Sequence, residues 1–157
     1  AFDAAKEVAL RQLDVRARSR HELESAITSR GFSTETADKV IERLVELGLV
    51  DDLAFARAFA RGRFEAGGKT GSALKMDLSR KGLSSQIIAQ VLSEIDVEEE
   101  YSRAHALAEK KIRSLTMRDR QVIRRRLFSM LARKGYPPHV CIRVIEELLE
   151  SEDYGEL

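Results

Sequence analysis

Apolar residues recur along this chain at three- and four-residue steps, which is the period of a helix with one buried face. The pattern occurs three times, each time around a glycine. An aliphatic pair stands eight and four positions before the glycine, an apolar residue follows it, and a valine stands nine positions after it. The three copies run from Leu23 to Leu44, from Leu74 to Ile95 and from Leu127 to Leu148. A repeat of roughly 50 residues indicates stacked units, which typically work by binding because they present long surfaces.

Capping residues and glycines divide each copy into three helices. Ser19 stands three residues before Glu22, the spacing of a capping box at a helix start. Gly31 then ends that helix, since the residue after a helix often takes a left-handed backbone. The predicted fold class is therefore all-α: three tandem three-helix repeats that form an elongated, curved molecule. The predicted boundaries are 1–50, 51–96 and 97–150, followed by a flexible acidic tail at 151–157.

Composition narrows the class of protein. Hydrophobic residues make up 43% of the chain and charged residues 34%, and no apolar run approaches the roughly 20 residues of a membrane span. The single cysteine, Cys141, excludes an internal disulfide framework and fits the reducing cytosol, so we expect a cytoplasmic protein. Cys141 occupies an apolar repeat position, which predicts a buried structural thiol. Nothing in the sequence indicates a stable oligomer, so we expect a monomer.

The net charge of +1 conceals a strong segregation of charge. Residues 1–50 carry eight basic and nine acidic side chains, whereas 53–93 carry seven and two. Residues 101–145 carry twelve basic and two acidic side chains, and 146–157 carry six acidic and none basic. The second repeat is therefore basic, the third is strongly basic and the end is acidic. A segregated basic surface is typical of proteins with a polyanionic partner.

The basic residues of the second and third repeats are the candidate contacts. Arg57 and Arg61 are four apart and share a helix face. Lys69 follows glycines that favour a flexible connector, which would leave it free to reach a phosphate. The whole candidate set for DNA or filament binding is Arg57, Arg61, Arg63, Lys69, Lys110, Lys111, Arg113, Arg118, Arg124, Arg125 and Arg126.

Two kinds of partner would satisfy these bases: DNA phosphates or an acidic protein surface. Contact with phosphates would carry no sequence specificity and would weaken as the salt concentration rises. Stacking of bases on aromatic side chains is not indicated, because most of the six Phe and three Tyr fall on apolar faces.

No catalytic centre, cofactor or metal site is predicted. The Gly67–Thr70 segment resembles the end of a phosphate-binding loop, but Arg63 stands where that motif needs its first glycine. The three histidines and the cysteine lack the spacing of a metal site, and no Ser or Cys has an evident His and acid beside it. The acidic run Glu98–Glu100 lies at a helix start, where the helix dipole explains it.

Several motifs in order resemble the RecX family of recombination regulators. They are Leu49-Val50-Asp51-Asp52 with Phe55-Ala56, Phe59 and Arg63; Ser19 with Glu22-Leu23 and Arg30-Gly31-Phe32; Lys69-Thr70-Gly71 with Leu74, Leu78 and Lys81-Gly82-Leu83; and Arg126-Leu127 with Leu131 to Tyr136. The resemblance extends from about Ala4 to Leu149. The family's third repeat is its most variable part, and here it contains Tyr136-Pro137-Pro138.

This resemblance implies three tandem three-helix repeats without a catalytic centre. It implies a non-enzymatic regulator of the RecA recombinase, acting in DNA repair and the SOS response. Such a protein would lie along the RecA filament on single-stranded DNA and mostly suppress ATP hydrolysis, strand exchange and coprotease activity. Its own contact with single-stranded DNA would be weak, non-specific and sensitive to salt.

Two other classes of function stay open at this point. Three-helix units also resemble helix-turn-helix domains, so the chain could be a stand-alone DNA-binding protein. It could equally be a helical scaffold for another protein. The affinity for DNA in the absence of RecA separates the first of these from a filament regulator.

Overall fold

The structure is a computed structural model that describes residues 1–115 and 117–156, with the backbone alone for residues 152–156. These ranges contain nine α-helices and no strand, which confirms the predicted all-α class. A short 3-10 turn, Arg113–Leu115, follows the seventh helix. The helices are α1 (Phe2–Val15), α2 (Arg20–Thr28), α3 (Thr34–Glu46), α4 (Asp52–Gly67), α5 (Gly71–Arg80), α6 (Ser85–Ser93), α7 (Val97–Ile112), α8 (Arg120–Arg133) and α9 (Pro138–Glu156).

The predicted helix signals are present in the structure. At the start of α2, the Glu22 amide donates to Ser19 Oγ at 3.1 Å, and the Ser19 amide donates to the Glu22 carboxylate at 3.1 Å. This pair of hydrogen bonds is the predicted capping box, and it satisfies donors that the first helical turn leaves open. Gly31, after the end of α2, has a φ of +94°. Pro138 begins α9, where its missing amide hydrogen costs little.

The chain forms two compact units. The first consists of Ala1–Ala60 with Asp77–Val91, and the second consists of Arg61–Met76 with the chain from Leu92 onward. The division falls inside the second sequence repeat, so α4, α5 and α6 each contribute residues to both units.

The core of the first unit lies among α1, α2 and α3. The repeated positions Leu23, Ile27, Val40 and Leu44 are fully buried there. Burying each such side chain stabilises the fold by about 1.5–3 kcal/mol. The α1 helix presents small residues to this core, as Ala5 does, which lets the helices approach closely. The repeat pattern therefore marks the core, as the sequence predicts.

The core of the second unit lies among α7, α8 and α9. Leu127, Leu131 and Val144 are fully buried and occupy the same repeat positions as the core of the first unit. Cys141 is also fully buried, and burial raises the pKa of its thiol. The predicted buried structural thiol is thus confirmed. The α9 backbone continues into the acidic segment for which the sequence favours a flexible tail, as far as Glu156; Leu157 lies outside the described residues.

Within the first unit, the turn after α5 packs against the start of α2; we call this contact the first joint. Ser19 Oγ donates to the carbonyl of Lys81 at 2.8 Å. Gly82 lies so close to His21 that a Cβ at position 82 would overlap its side chain. The Lys81 ammonium binds the Glu22 carboxylate at 3.0 Å. The first joint therefore connects the first and second sequence repeats.

Within the second unit, the turn after α8 packs against the start of α5; we call this the second joint. The Thr70 amide donates to the carbonyl of Lys134 at 2.9 Å, and Lys134 Nζ donates to the carbonyl of Gly67 at 2.7 Å. A Cβ on Gly135 would overlap the Thr70 carbonyl oxygen. Thr70 stands twelve residues before its glycine, as Ser19 does, so the same repeat position serves both joints.

The second joint corrects the prediction of a flexible glycine-rich connector. Thr70 is fully buried, and its hydroxyl donates to the buried carboxylate of Glu100 at 2.6 Å. Lys69 is half-buried and its amide donates to the carbonyl of Arg63 at 3.4 Å. The glycines here allow close packing against the third repeat, so the connector is held in place.

Candidate polyanion-binding surface

In the first unit, most basic side chains pair with a nearby carboxylate. Arg16 and Lys81 share Glu22, whose carboxylate lies 2.8 Å from the Arg16 guanidinium. Burial alone would raise the pKa of Glu22, but hydrogen bonds from Arg16 and Lys81 lower it to about 2. Further pairs are Arg11–Glu7, Arg20–Glu42, Lys39–Glu35, Arg43–Glu46 and Arg80–Asp77. Positive charge on this unit is therefore largely compensated.

The candidate Arg61 on α4 also has an internal partner. Its guanidinium forms two hydrogen bonds with the Glu99 carboxylate, at 2.6 and 3.0 Å, and lies 5.5 Å from the centre of the Phe64 ring. The hydrogen bond raises the pKa of Arg61 and lowers the pKa of Glu99. The dipole explanation for the acidic start of α7 is thus incomplete, because Glu99 and Glu100 each have a specific partner. The candidates Arg57, Arg63 and Lys69 also interact with other groups of the chain.

The third repeat differs, because many of its basic side chains are exposed and have no carboxylate partner among the side chains that the structure describes. They lie at the end of α7, in the 3-10 turn, in the connection to α8 and on α8 itself. We call this set the unpaired bases: Lys110, Lys111, Arg113, Arg118, Arg125 and Arg126.

One more base of the same kind was missed by the sequence reasoning. Arg133 is exposed on α8 and has no partner among the described side chains. It lies two helical turns after Arg126, so the seven-residue spacing was the signal that could have identified it.

Arg124 is the candidate of the third repeat that does pair. Its guanidinium binds the carboxylate of Glu146 on α9. Residues 101–145 contain only two acidic side chains, but α9 packs beside α8 in the fold and brings an acid from the next segment. Within α9, Arg143 also pairs with Glu147, four residues later, at 3.0 Å. The acidic end of the chain therefore compensates part of the third repeat's charge.

A groove of about 390 Å³ lies between α8 and α9, and we call it the α8–α9 groove. Phe128 contributes to its lining and is 37% exposed, and Ile142 opposite is 54% exposed. Phe128 is thus an exception to the prediction that the aromatic residues fall on apolar faces. The rest of the lining is Gln121, Arg124, Arg125, Ser129, Ile145 and Glu146.

Neither a metal site nor a membrane-spanning helix finds support in the described residues. They contain no group of three or more His, Cys, Asp or Glu side chains that could hold a metal ion. None of the helices within 1–115 and 117–156 has both the length and the apolar character to cross a membrane. The unpaired bases make the third repeat the candidate polyanion-binding surface.

Comparison with known proteins gives a consistent result along the whole chain. The first, second and third three-helix domains of RecX match residues 5–44, 51–92 and 98–145. The Regulatory protein RecX of Amycolatopsis mediterranei is 38% identical over 154 residues, covering 98% of this chain and 87% of that protein. The protein of the same name from Mycolicibacterium smegmatis is 38% identical, covering 96% of this chain and 82% of its own length.

Solved structures agree with this result at the level of the fold. The crystal structure of RecX from Lactobacillus salivarius superposes with a TM-score of 0.88 at 22% identity, covering 94% of this chain and 96% of that one. A second crystal structure, of a regulatory protein RecX, gives a TM-score of 0.83 at 19% identity, covering 92% and 71%. Because three domain matches follow one another in order and the relatives align with nearly the whole of this chain, this chain belongs to the RecX family of regulatory proteins.

Proposed function

We propose that this chain regulates the RecA recombinase by binding the RecA filament on single-stranded DNA. In this proposal it is a non-enzymatic inhibitor that lowers ATP hydrolysis, strand exchange and coprotease activity. It acts in the cytoplasm as a monomer. Membership of the RecX family supports the regulatory role, and the unpaired bases of the third repeat support contact with the filament's DNA.

The unpaired bases are the observation that carries the DNA contact. Exposed arginines without internal partners keep the N–H groups of their guanidinium available as donors to phosphate oxygens. Suppose that all six unpaired bases contacted phosphates of a single strand. A plot of the logarithm of the affinity against the logarithm of the salt concentration would then have a slope of about −4. The paired bases of the first unit would add little to this slope.

The first test measures ATP hydrolysis by RecA on single-stranded DNA while this chain is titrated in. We expect a dose-dependent fall in hydrolysis at less than one chain per RecA subunit, because a bound regulator would act on several neighbouring subunits. An unchanged rate, at concentrations where the chain is folded, would contradict the inhibitory role.

A second test addresses the unpaired bases directly. The double change Arg125→Glu and Arg126→Glu should weaken binding to the filament and reduce its salt dependence while the helical circular dichroism is unchanged. The matched control is Lys6→Glu with Lys75→Glu, which changes the net charge equally outside the third repeat at two lysines without a carboxylate partner among the described side chains. Arg124 is left intact, since a glutamate there would face Glu146. Equal binding by both double variants would contradict the assignment of the DNA contact to the third repeat.

The affinity for duplex DNA, measured without RecA, distinguishes a filament regulator from a stand-alone DNA-binding protein. A filament regulator should bind such DNA weakly and without sequence preference. Tight, sequence-specific binding would favour the helix-turn-helix alternative.

A further inference from the structure

We propose that the α8–α9 groove binds an unstacked base of single-stranded DNA against the side chain of Phe128. The inference rests on the proposed function, because it requires that DNA phosphates lie along the third repeat. It adds a preference for single strands, which phosphate contacts alone do not provide.

The first support is the placement of an exposed aromatic side chain on the basic helix. Phe128 follows Arg124 by four residues and Arg125 by three, so the three side chains share one face of α8. Its neighbour Leu127 is fully buried, whereas Phe128 is 37% exposed. An aromatic ring that is open to solvent within a basic surface is the usual platform for bases of a single strand.

The second support is the shape and apolar character of the groove. Its volume of about 390 Å³ lies within the range of about 300–1,000 Å³ that is typical of small-ligand sites. Ile142 forms part of the opposite lining and is 54% exposed, which provides an apolar surface beside Phe128. Gln121 and Ser129 are exposed at the groove and offer hydrogen-bonding groups for the edge of a base.

The third support is the distribution of charge around the groove. The Arg124 guanidinium is compensated by Glu146, which holds it at the groove. Arg125 has no carboxylate partner among the described side chains and remains available for a phosphate. One aromatic surface and one available guanidinium match the chemistry of one nucleotide, a flat base with one phosphate. Bases in a duplex stay stacked on each other and do not present their faces to the groove.

The test compares two labelled strands of equal length by fluorescence anisotropy at one salt concentration. One strand is oligothymidine, and the other is an abasic deoxyribose-phosphate strand, which keeps the charges and removes the bases. We expect the chain to bind oligothymidine about tenfold more tightly, the effect of one stacked base.

Substitutions at Phe128 test whether its side chain causes this difference in affinity between the two strands. Phe128→Leu keeps an apolar side chain and should lower the affinity for oligothymidine to that for the abasic strand. Phe128→Trp should preserve the preference, because it keeps a ring. The matched control is Phe2→Leu, since Phe2 is also 37% exposed but lies on α1.

Each other outcome would overturn the inference. If the unmodified chain bound the two strands equally, base stacking on Phe128 would be contradicted, whereas the proposed phosphate contacts would be unaffected. If the chain bound neither strand, both this inference and the DNA contact of the proposed function would be contradicted. If Phe128→Leu left both affinities unchanged but weakened binding to RecA without DNA, the groove would be a protein-binding site instead.

Discussion

The two joints bring the same repeat positions together but use different hydrogen-bond donors and give their lysines different partners. The carbonyl of Lys81 accepts a hydrogen bond from the Ser19 hydroxyl, whereas the carbonyl of Lys134 accepts one from the Thr70 amide, at the same repeat position. The Lys81 ammonium then binds the Glu22 carboxylate, whereas the Lys134 ammonium binds the neutral carbonyl of Gly67. The carbonyl before the glycine is the acceptor in both joints, but its donor and the partner of the neighbouring lysine differ. Neither lysine therefore belongs with the unpaired bases.

The largest expected effect comes from adding a Cβ at the joint glycine. Gly135→Ala should lower the free energy of unfolding by about 3–5 kcal/mol, because the new atom meets the Thr70 carbonyl and the backbone has positive φ. Gly31→Ala is the matched control, since Gly31 has a similar φ but nothing within 4 Å of the added atom. It should cost only about 1–2 kcal/mol. Equal costs in chemical denaturation would show that packing at the second joint contributes nothing.

The next largest effect is expected from removing the hydrogen bond of the buried Thr70–Glu100 pair while the packing at the second joint is kept. Thr70→Val keeps the shape of the side chain but removes the donor to Glu100, so the buried carboxylate loses a hydrogen bond. We expect a loss of about 2–3 kcal/mol in the free energy of unfolding. Thr28→Val serves as control, because the Thr28 hydroxyl donates to the local helix carbonyls of Glu24 and Ser25 and not to a carboxylate. A similar small cost for both variants would contradict a structural role for the Thr70–Glu100 pair.

A smaller effect with a characteristic pH dependence is expected at the first joint. The pKa of Glu22 is lowered to about 2 from its ordinary value of 4.5, so its ionised form stabilises the fold above pH 4.5. This contribution is lost as the pH falls from 4.5 toward 2. Glu22→Gln keeps a residue suited to the capping box and should cost about 1–2 kcal/mol at neutral pH. The difference from the unmodified chain should vanish near pH 2; a cost that is independent of pH would contradict the ion-pair assignment.

The smallest expected effect on the free energy of unfolding comes from replacing either joint lysine. Lys81→Met and Lys134→Met should each cost about 1 kcal/mol, the contribution of one partly exposed hydrogen bond or ion pair. Only the cost at Lys81 should decrease when salt is added, because only Lys81 binds a charged partner. Thermal unfolding at low and high salt checks this, and identical salt dependence in the two variants would remove the distinction between the joints.

The fold was largely predictable because its determinants are local. Apolar periodicity identified the buried face of each helix, and the capping box at Ser19 and the glycine after α2 identified helix ends. These signals act within a few residues, so one sequence contains them in full. The glycine-rich connector was predicted wrongly, because its order comes from Lys134, which is distant in the sequence.

The site was only partly predictable because ion pairs depend on which helices become neighbours. The charge counts correctly indicated the third repeat as the most basic region. They could not show that Glu146 compensates Arg124 or that Glu99 compensates Arg61, since each pair joins distant segments. The exposure of Phe128 also depends on how α8 and α9 pack, and the helical period alone placed it beside core residues.

The open turn at Gly31 has a consequence for engineering. It has the left-handed glycine backbone of the turns at the two joints, yet no atom lies within 4 Å of the position that a Cβ would occupy. A designed repeat could dock on this turn if it carried a serine at the position equivalent to Ser19, whose hydroxyl makes the first joint. The turn at Gly31 is therefore a docking point through which protein design can set the number of stacked repeats.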